Sequence, residues 1–419
     1  MKVFLAIVLL LFSHLFLPAQ NQNSDPTGDQ FLEDLMKQYP QYFEQVLKMR
    51  DSLKVQIIYT QIDRDANNSP TFKNYFFHYN PDNYFYPAST VKLPVALLAL
   101  QKLNELRLPG INKNASLITD KAYSGQTAVL NDPTTPDGRP TIAQYIRKIF
   151  LVSDNDAFNR LYEFLGSQYI NDNLKRMGYG DAQIVHRLDI SLTEDENRHT
   201  NPVSMFDASG KMLYQQPMQF NKNPYQLRND SIGKAYVTDS GLVNHPLDCS
   251  RKNRINLLTL QQILQSVLFP ASVGSRQRFN IREEDYNFVY QYMSQYPGES
   301  IYPHYDTAQF QDAFGKLLFW GSEKGSLPKN IRIFNKEGDA YGFLNDISYF
   351  VDFDKHIEFM LSCTMYCNRD GVLNDDHYDY DTVGLPFMKR LGRAIYDYEL
   401  KRKRLHSPNL SKFSLKYDK

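Results

Sequence analysis

The sequence predicts an α+β fold, a five-stranded antiparallel sheet built from both chain ends, flanked by helices, with an all-helical subdomain inserted between. Three observations predict it. Two strand-like runs stand near the start of the chain and three near its end. The stretch between them has helical spacing wherever it has any periodicity. Helical patterns also precede the first strand and follow the last.

The chain begins with an export signal. Lys2 supplies the positive start, Val3 to Leu17 the apolar stretch, and Leu17-Pro18-Ala19-Gln20 a small residue for cleavage after Ala19. The stretch is short for a membrane span and Asn, Gln and Asp follow at once, so an uncleaved anchor is the weaker reading. The first cysteine is Cys249, so no lipid anchor on a cysteine is indicated. Residues 1–19 are therefore expected to be removed, leaving a periplasmic or secreted protein with no membrane span.

Gln30 to Lys54 has helical spacing, with Pro40 as a kink or break. Val55 to Ile62 and Thr71 to Phe77 read as strands joined by a connector rich in Asp, Asn, Ser and Pro, hence a hairpin. An apolar helical run opens at Ser89, and residues 105–140 are loop-rich. Helical patterns follow at Ile142 to Val152, Asp156 to Leu165 and Tyr169 to Met177, the last ending at Gly178. Residues 186–253 are polar and punctuated by Pro and Gly, which predicts a surface excursion and not a core. Helical character resumes at Leu257 to Leu264 and Glu283 to Gln295, and more weakly from Thr307 to Trp320. Asn330 to Asn335, Phe343 to Phe353 and Ile357 to Cys367 are strand-like, and Val383 to Leu400 is a closing helix. The basic run Lys401 to Arg404 reads as a solvated helix end. The folded domain is expected over 29–404, with a helical subdomain at 83–329 containing a 190–255 excursion, and a C-terminal tail at 405–419.

Composition narrows the function. Lys+Arg and Asp+Glu are both 47, so the formal net charge is zero, which argues against nucleic acid or an anionic membrane as the main partner. The nine histidines show no ligand spacing, so neither a metal nor a cofactor is called for. Cys363 and Cys367 lie in one strand, roughly 13 Å apart at about 3.3 Å per residue, too far to bond each other. A bond from Cys249 to either stays open.

Chemistry gathers at three places. Ser89 and Lys92 are three apart, hence on one helix face, and a long apolar run follows them. A buried lysine loses its proton readily, and a neutral lysine beside a hydroxyl is a general base beside a nucleophile. The plainer alternative has Ser89 as an N-cap and Lys92 reaching to water. Ser153-Asp154-Asn155 presents a hydroxyl and an amide at a helix start, or else Ser153 with Asp156 is a capping box. Lys336-Glu337-Gly338 places a lysine at a strand end, followed by a glycine that would let a substrate backbone lie close against the strand edge.

Taken in order, these three motifs resemble the signature of class A β-lactamases and penicillin-binding proteins, class A most closely. His186-Arg187-Leu188-Asp189 looks like the start of that family's Ω-loop, and Asn345-Asp346-Ile347 also suits its pattern. The resemblance implies an exported serine hydrolase with a small-molecule or peptidoglycan-like acyl substrate. Ser89 would be the acylated nucleophile, Lys92 would take its proton, and Ser153 would relay a proton to the leaving group. Asn155 would bind the substrate amide, and Lys336 would face a substrate carboxylate. Gly338 would border the substrate, and the N–H groups of Ser89 and Asp339 would form the oxyanion hole. A carboxypeptidase, amidase or esterase is nearly as well supported, and a sensor domain that acylates without turnover is the rival.

The departures are as informative. Glu337 stands where the family has a hydroxyl residue, and unless paired or turned away it would repel a carboxylate. The Ω-loop lacks the expected glutamate followed by Leu-Asn; Glu194 and Glu196 are available but neither fits the spacing.

Overall fold

The computed structural model describes residues 30–419. The predicted export signal lies outside the described residues. Helices α1 (Gln30–Lys37) and α2 (Pro40–Lys48) are separate, because Pro40 has no N–H to continue the first and is well placed in the first turn of the second. Strands β1 (Gln56–Arg64) and β2 (Pro70–Phe77) form the expected hairpin, with Ile57 opposite Phe77 and Arg64 opposite Pro70. Then come α3 (Lys92–Leu106), α4 (Ile142–Val152), α5 (Asn155–Leu165), α6 (Ser167–Met177), α7 (Leu257–Leu268) and α8 (Glu283–Ser294). Strands β3 (Ile331–Ala340), β4 (Phe343–Asp352) and β5 (Ile357–Tyr366) precede the closing helix α9 (Leu385–Lys401).

The five strands make one antiparallel sheet in the order β3-β4-β5-β1-β2. The chain ends meet where Gln56 pairs with Thr364. Side chains alternate between the two faces. Ile58, Ile62 and Phe334 join the core on the side of α3 to α8, whereas Ile57, Tyr59 and Ile333 join the core under α1, α2 and α9. Every residue of β4 and β5 is buried, as a sheet covered on both faces requires. This alternation aims Lys336 toward the helical side and Glu337 toward the other, on a strand that forms the sheet edge.

The inserted segment is not all-helical. Ser116–Thr119, Val203–Phe206 and Met212–Gln216 form a three-stranded sheet, and Ala235–Thr238 pairs with Gly241–Val243 and with Val372–Leu373. Runs of two to five residues are too short to show an alternation in sequence. Nor is the 190–255 excursion only a surface: Val203, Met205, Ile232 and Cys249 lie in the core. The weak helix at 307–320 shrinks to Leu317–Trp320, where Leu318 and Phe319 have non-helical dihedrals. Cys249, Cys363 and Cys367 are all free and buried, so the bond left open for Cys249 is not made.

Two expectations at the C-terminus are overturned. Residues 405–419 are no tail: Phe413 is 1% exposed and packs its ring on Tyr349, Phe334 and Phe269. The basic run is not simply solvated. Lys401 and Lys403 are exposed, but Arg402 and Arg404 turn inward onto Glu399, which has no exposed surface and also accepts from the Tyr59 hydroxyl. Arg402 also engages Asp63, so the run clamps α9 to β1. Removing one partner of a buried ion pair typically costs about 3–5 kcal/mol. Glu399→Ala is therefore expected to lower unfolding free energy by that order in a urea titration. Lys401→Ala and Lys403→Ala should leave it within about 0.5 kcal/mol.

Candidate active site

The turn before α3 builds the first part of the site. Ala88 adopts φ +46°, and Ala88–Val91 is a single 3₁₀ turn, so α3 starts at Lys92 and not at Ser89. Residues three apart eclipse one another in a 3₁₀ turn. Lys92 Nζ accordingly lies 2.8 Å from Ser89 Oγ. Neither plainer alternative describes these residues: the Ser89 side chain caps no helix, and Lys92 is 0% exposed.

The second part comes from the joint between α4 and α5. Ser153 ends α4 in the left-handed region, at φ +59°. The N-cap of α5 is Asp154, whose carboxylate accepts from Ala157 N at 2.7 Å. Capping thus falls to Asp154, which leaves the Ser153 hydroxyl to the cleft. Lys92 Nζ donates to the Ser153 carbonyl and to Asn155 Oδ1 (2.6 Å), and lies 3.3 Å from Ser153 Oγ.

Strand β3 supplies the third part. Lys336 Nζ donates to Ser153 Oγ at 2.9 Å, to the Glu337 carbonyl at 3.0 Å and to Glu337 Oε1 at 2.8 Å. Glu337 is therefore paired round the strand edge. Gly338 has a use the sequence did not suggest: a Cβ there would stand 2.5 Å from Ser89 N and 2.9 Å from Thr90 N. The backbone of the turn that carries Ser89 occupies the space the glycine leaves. Buried Asn345 fixes that approach by donating to the carbonyls of Tyr86 and Gly338, each at 3.1 Å.

The stretch leading into the excursion contributes a carboxylate, and neither glutamate singled out in the sequence does. Asn159 clamps Leu188, accepting from its N–H and donating to its carbonyl, both at 2.9 Å. Buried Arg187 ties the same stretch to Glu163 at 2.8 Å. Asp189, next along and at φ +55°, thereby comes within 3.4 Å of Asn155 Nδ2. Glu194 pairs instead with Arg198 (2.8 Å) and Arg251, while Glu196 closes a capping box with Thr193 and accepts from Ser124 at 2.7 Å.

A cavity of about 370 Å³ opens at Ser89, lined by Tyr86, Asn155, Asp189, Asp339, Tyr341 and Asp376 among others; neither Glu194 nor Glu196 borders it. Ala88, Asp189, Tyr341 and Asp376 all have positive φ. Non-glycine residues held there cost on the order of 1–3 kcal/mol each, and such strain gathers at functional sites. Tyr341 and Asp376 carry no signal in the sequence, since only the tertiary fold brings them here. Asp189 was visible within His186-Arg187-Leu188-Asp189, but nothing in the sequence aimed its carboxylate.

Electrostatics follow from burial. Desolvation, and then the charge of Lys336, holds Lys92 well below the usual lysine range. Burial works to raise Glu337, but the ammonium of Lys336 wins and keeps its carboxyl below the ordinary value. Asp339, though its side chain reaches the surface, is raised by partial loss of hydration and then by the charge of Glu337. Among the described residues no helix is long and apolar enough to cross a membrane.

Residues 41–217 match the model of the β-lactamase enzyme family, a span that includes Ser89, Lys92, Ser153 and Asn155 but not Lys336. No curated protein matches the chain. Among solved structures it is similar to the class A β-lactamase of Clostridium kluyveri DSM 555, with 15% identity, 85% of this chain and 98% of that one covered, and a TM-score of 0.47. A β-lactamase of Xanthomonas campestris pv. campestris str. ATCC 33913 gives 12% identity, 88% and 99% coverage, and 0.47. One from Chitinophaga pinensis DSM 2588 gives 11%, 85% and 99%, and 0.46. A five-stranded antiparallel sheet joined from both chain ends, with a helical subdomain inserted beside it, thus accompanies a match to the β-lactamase enzyme family over residues 41–217, 177 of the 419.

Proposed function

We propose that the protein is a serine acyl hydrolase, β-lactamase-like in mechanism, that cleaves an amide or ester through an acyl-enzyme on Ser89. The observation that carries this reading is the 2.8 Å contact between Ser89 Oγ and a fully buried Lys92. A neutral lysine has two N–H donors and one lone pair. The Ser153 carbonyl and Asn155 Oδ1 take the two donors, which turns the lone pair toward the Ser89 hydroxyl. Lys92 then accepts the Ser89 proton as Oγ attacks the substrate carbonyl.

The later steps use the neighbours. The N–H groups of Ser89 and Asp339 receive the developing oxyanion. Ser153 Oγ, between Lys92 and Lys336, passes a proton to the departing group as its bond to the carbonyl carbon breaks. Asn155 holds Lys92 and a substrate amide. Hydrolysis of the acyl-ester needs a base for water, and the carboxylate that borders the Ser89 cavity beside Asn155 is Asp189.

A pulse of p-nitrophenyl acetate followed by intact-protein and peptide mass spectrometry tests the reading. One acetyl group is expected on the Ser89 peptide and none in Ser89→Ala. Labelling that survives Ser89→Ala at the same rate would sink it.

A further inference from the structure

We infer that the leaving group of the natural substrate is uncharged and apolar, and that it sits in a groove running from Ser153 round the free edge of β3. The inference rests on the acyl-enzyme reading above. In that reading Ser153 protonates the departing group, so the group lies on the Ser153 side of Ser89. A groove of about 450 Å³ opens there, lined by Ser153 and Glu337 together with Ala313, Phe314, Leu317 and Leu344. Phe314, 37% exposed and braced edge-on by Phe310 with ring centroids 5.1 Å apart, gives the groove a large apolar surface.

Charge settles what the groove accepts. An ammonium has three N–H donors, and those of Lys336 are all engaged, by Ser153 Oγ, the Glu337 carbonyl and Glu337 Oε1. A carboxylate arriving at Lys336 would have to displace Glu337 or sit against it. Displacement is blocked from behind: the chain at Gly315, at φ +73°, lies so close that a Cβ there would stand 3.0 Å from Glu337 Oε2. The remaining charged lining is mostly acidic, with Glu323, Asp339 and Asp381 against Lys324 alone, and Glu323 already bonds Arg393 at 2.6 Å. Like charges brought together in such a site are a device for rejecting a ligand. The groove therefore favours an alcohol or amine that leaves without a carboxylate.

In the acylation step the Ser89 Oγ–carbonyl bond forms and the ester C–O bond breaks. The Ser89 proton goes to Lys92, and the leaving oxygen takes a proton through Ser153, so an ester and the serine give an acyl-serine and a free phenol or alcohol.

Two esters of phenylacetylglycine, one with phenol and one with 3-hydroxybenzoic acid, deposit the same acyl group and differ only in the leaving-group carboxylate. Their rates of adduct formation on Ser89, corrected for hydrolysis in buffer, are compared by quenched-flow mass spectrometry. The wild-type protein is expected to react faster with the phenyl ester by about tenfold or more. Glu337→Thr, which frees Lys336, should erase or reverse that ratio, and Phe314→Ala should slow the phenyl ester more than the carboxyphenyl ester. A wild-type protein acylated as fast or faster by the carboxyphenyl ester overturns the inference and leaves the acyl-enzyme reading standing. Failure of both esters to label Ser89 overturns that reading, and this inference with it.

Discussion

Replacing Lys92 by methionine is expected to slow acylation of Ser89 by about 10²–10⁴-fold, the usual contribution of a positioned general base. Methionine keeps the apolar stem and fills much of the same buried volume, so the core round α3 should tolerate it. What disappears is the amine nitrogen 2.8 Å from Ser89 Oγ, and with it the proposed base. The pH profile separates this role from a merely structural one. Burial and Lys336 hold the lysine well below its usual range, and only its neutral form accepts a proton. The wild-type acylation rate should thus rise with pH through that depressed value and level off below the ordinary lysine range. The Lys92→Met protein should lack the rising limb while its melting temperature stays close to wild type. A variant that keeps both the rate and the limb would show that another group takes the proton.

Much of this site was legible in the sequence because its chemistry lies in short, local spacings. Ser89 and Lys92 are one turn apart, so any helical geometry puts them on one face. Ser153, Asn155 and Lys336 could be named from their types and order, and the sheet that gathers them could be assembled from strand-like runs at the two ends. Local ambiguity was harder. Ser153 with Asp156 satisfies a capping pattern in the sequence, yet Ser153 closes α4 at a left-handed φ and Asp154 caps α5. Gly338 stands out in the sequence, but a sequence does not say which backbone will fill the space it leaves.

Other features depend on distant parts of the chain and left no periodic trace. Arg402 and Arg404 look like a solvated helix end until β1 brings Tyr59 and Asp63 against them. Glu337 looks like a free carboxylate until it turns round the sheet edge to reach Lys336. The short strands of the 190–255 excursion are held by pairings such as Val203 with Gln216, which no alternation over a few residues announces.

Removal of the acyl group from Ser89 is expected to depend on Asp189 and on neither glutamate. Deacylation requires a base close enough to take a proton from water as it attacks the ester. Glu194 is held by Arg198 and Arg251, and Glu196 by Thr193 and Ser124, and neither borders the Ser89 cavity. Asp189 does border it, exposed to solvent and aimed at Asn155 by the Asn159 clamp on Leu188. A carboxylate at the open rim, 3.4 Å from its amide neighbour, is a loosely held base, so adducts should outlive the time they take to form. Asp189→Asn keeps the shape and removes the basic oxygen, and it should lengthen the lifetime of a penicillin or phenylacetylglycyl adduct by about 10²-fold. Glu194→Gln and Glu196→Gln should leave that lifetime unchanged. Mass spectra taken at intervals after a short pulse of reagent measure it directly. Clearance within seconds in the wild type, undiminished in Asp189→Asn, would place the base elsewhere; loss of clearance in Glu194→Gln or Glu196→Gln would show that the excursion moves to deliver a carboxylate once Ser89 is acylated.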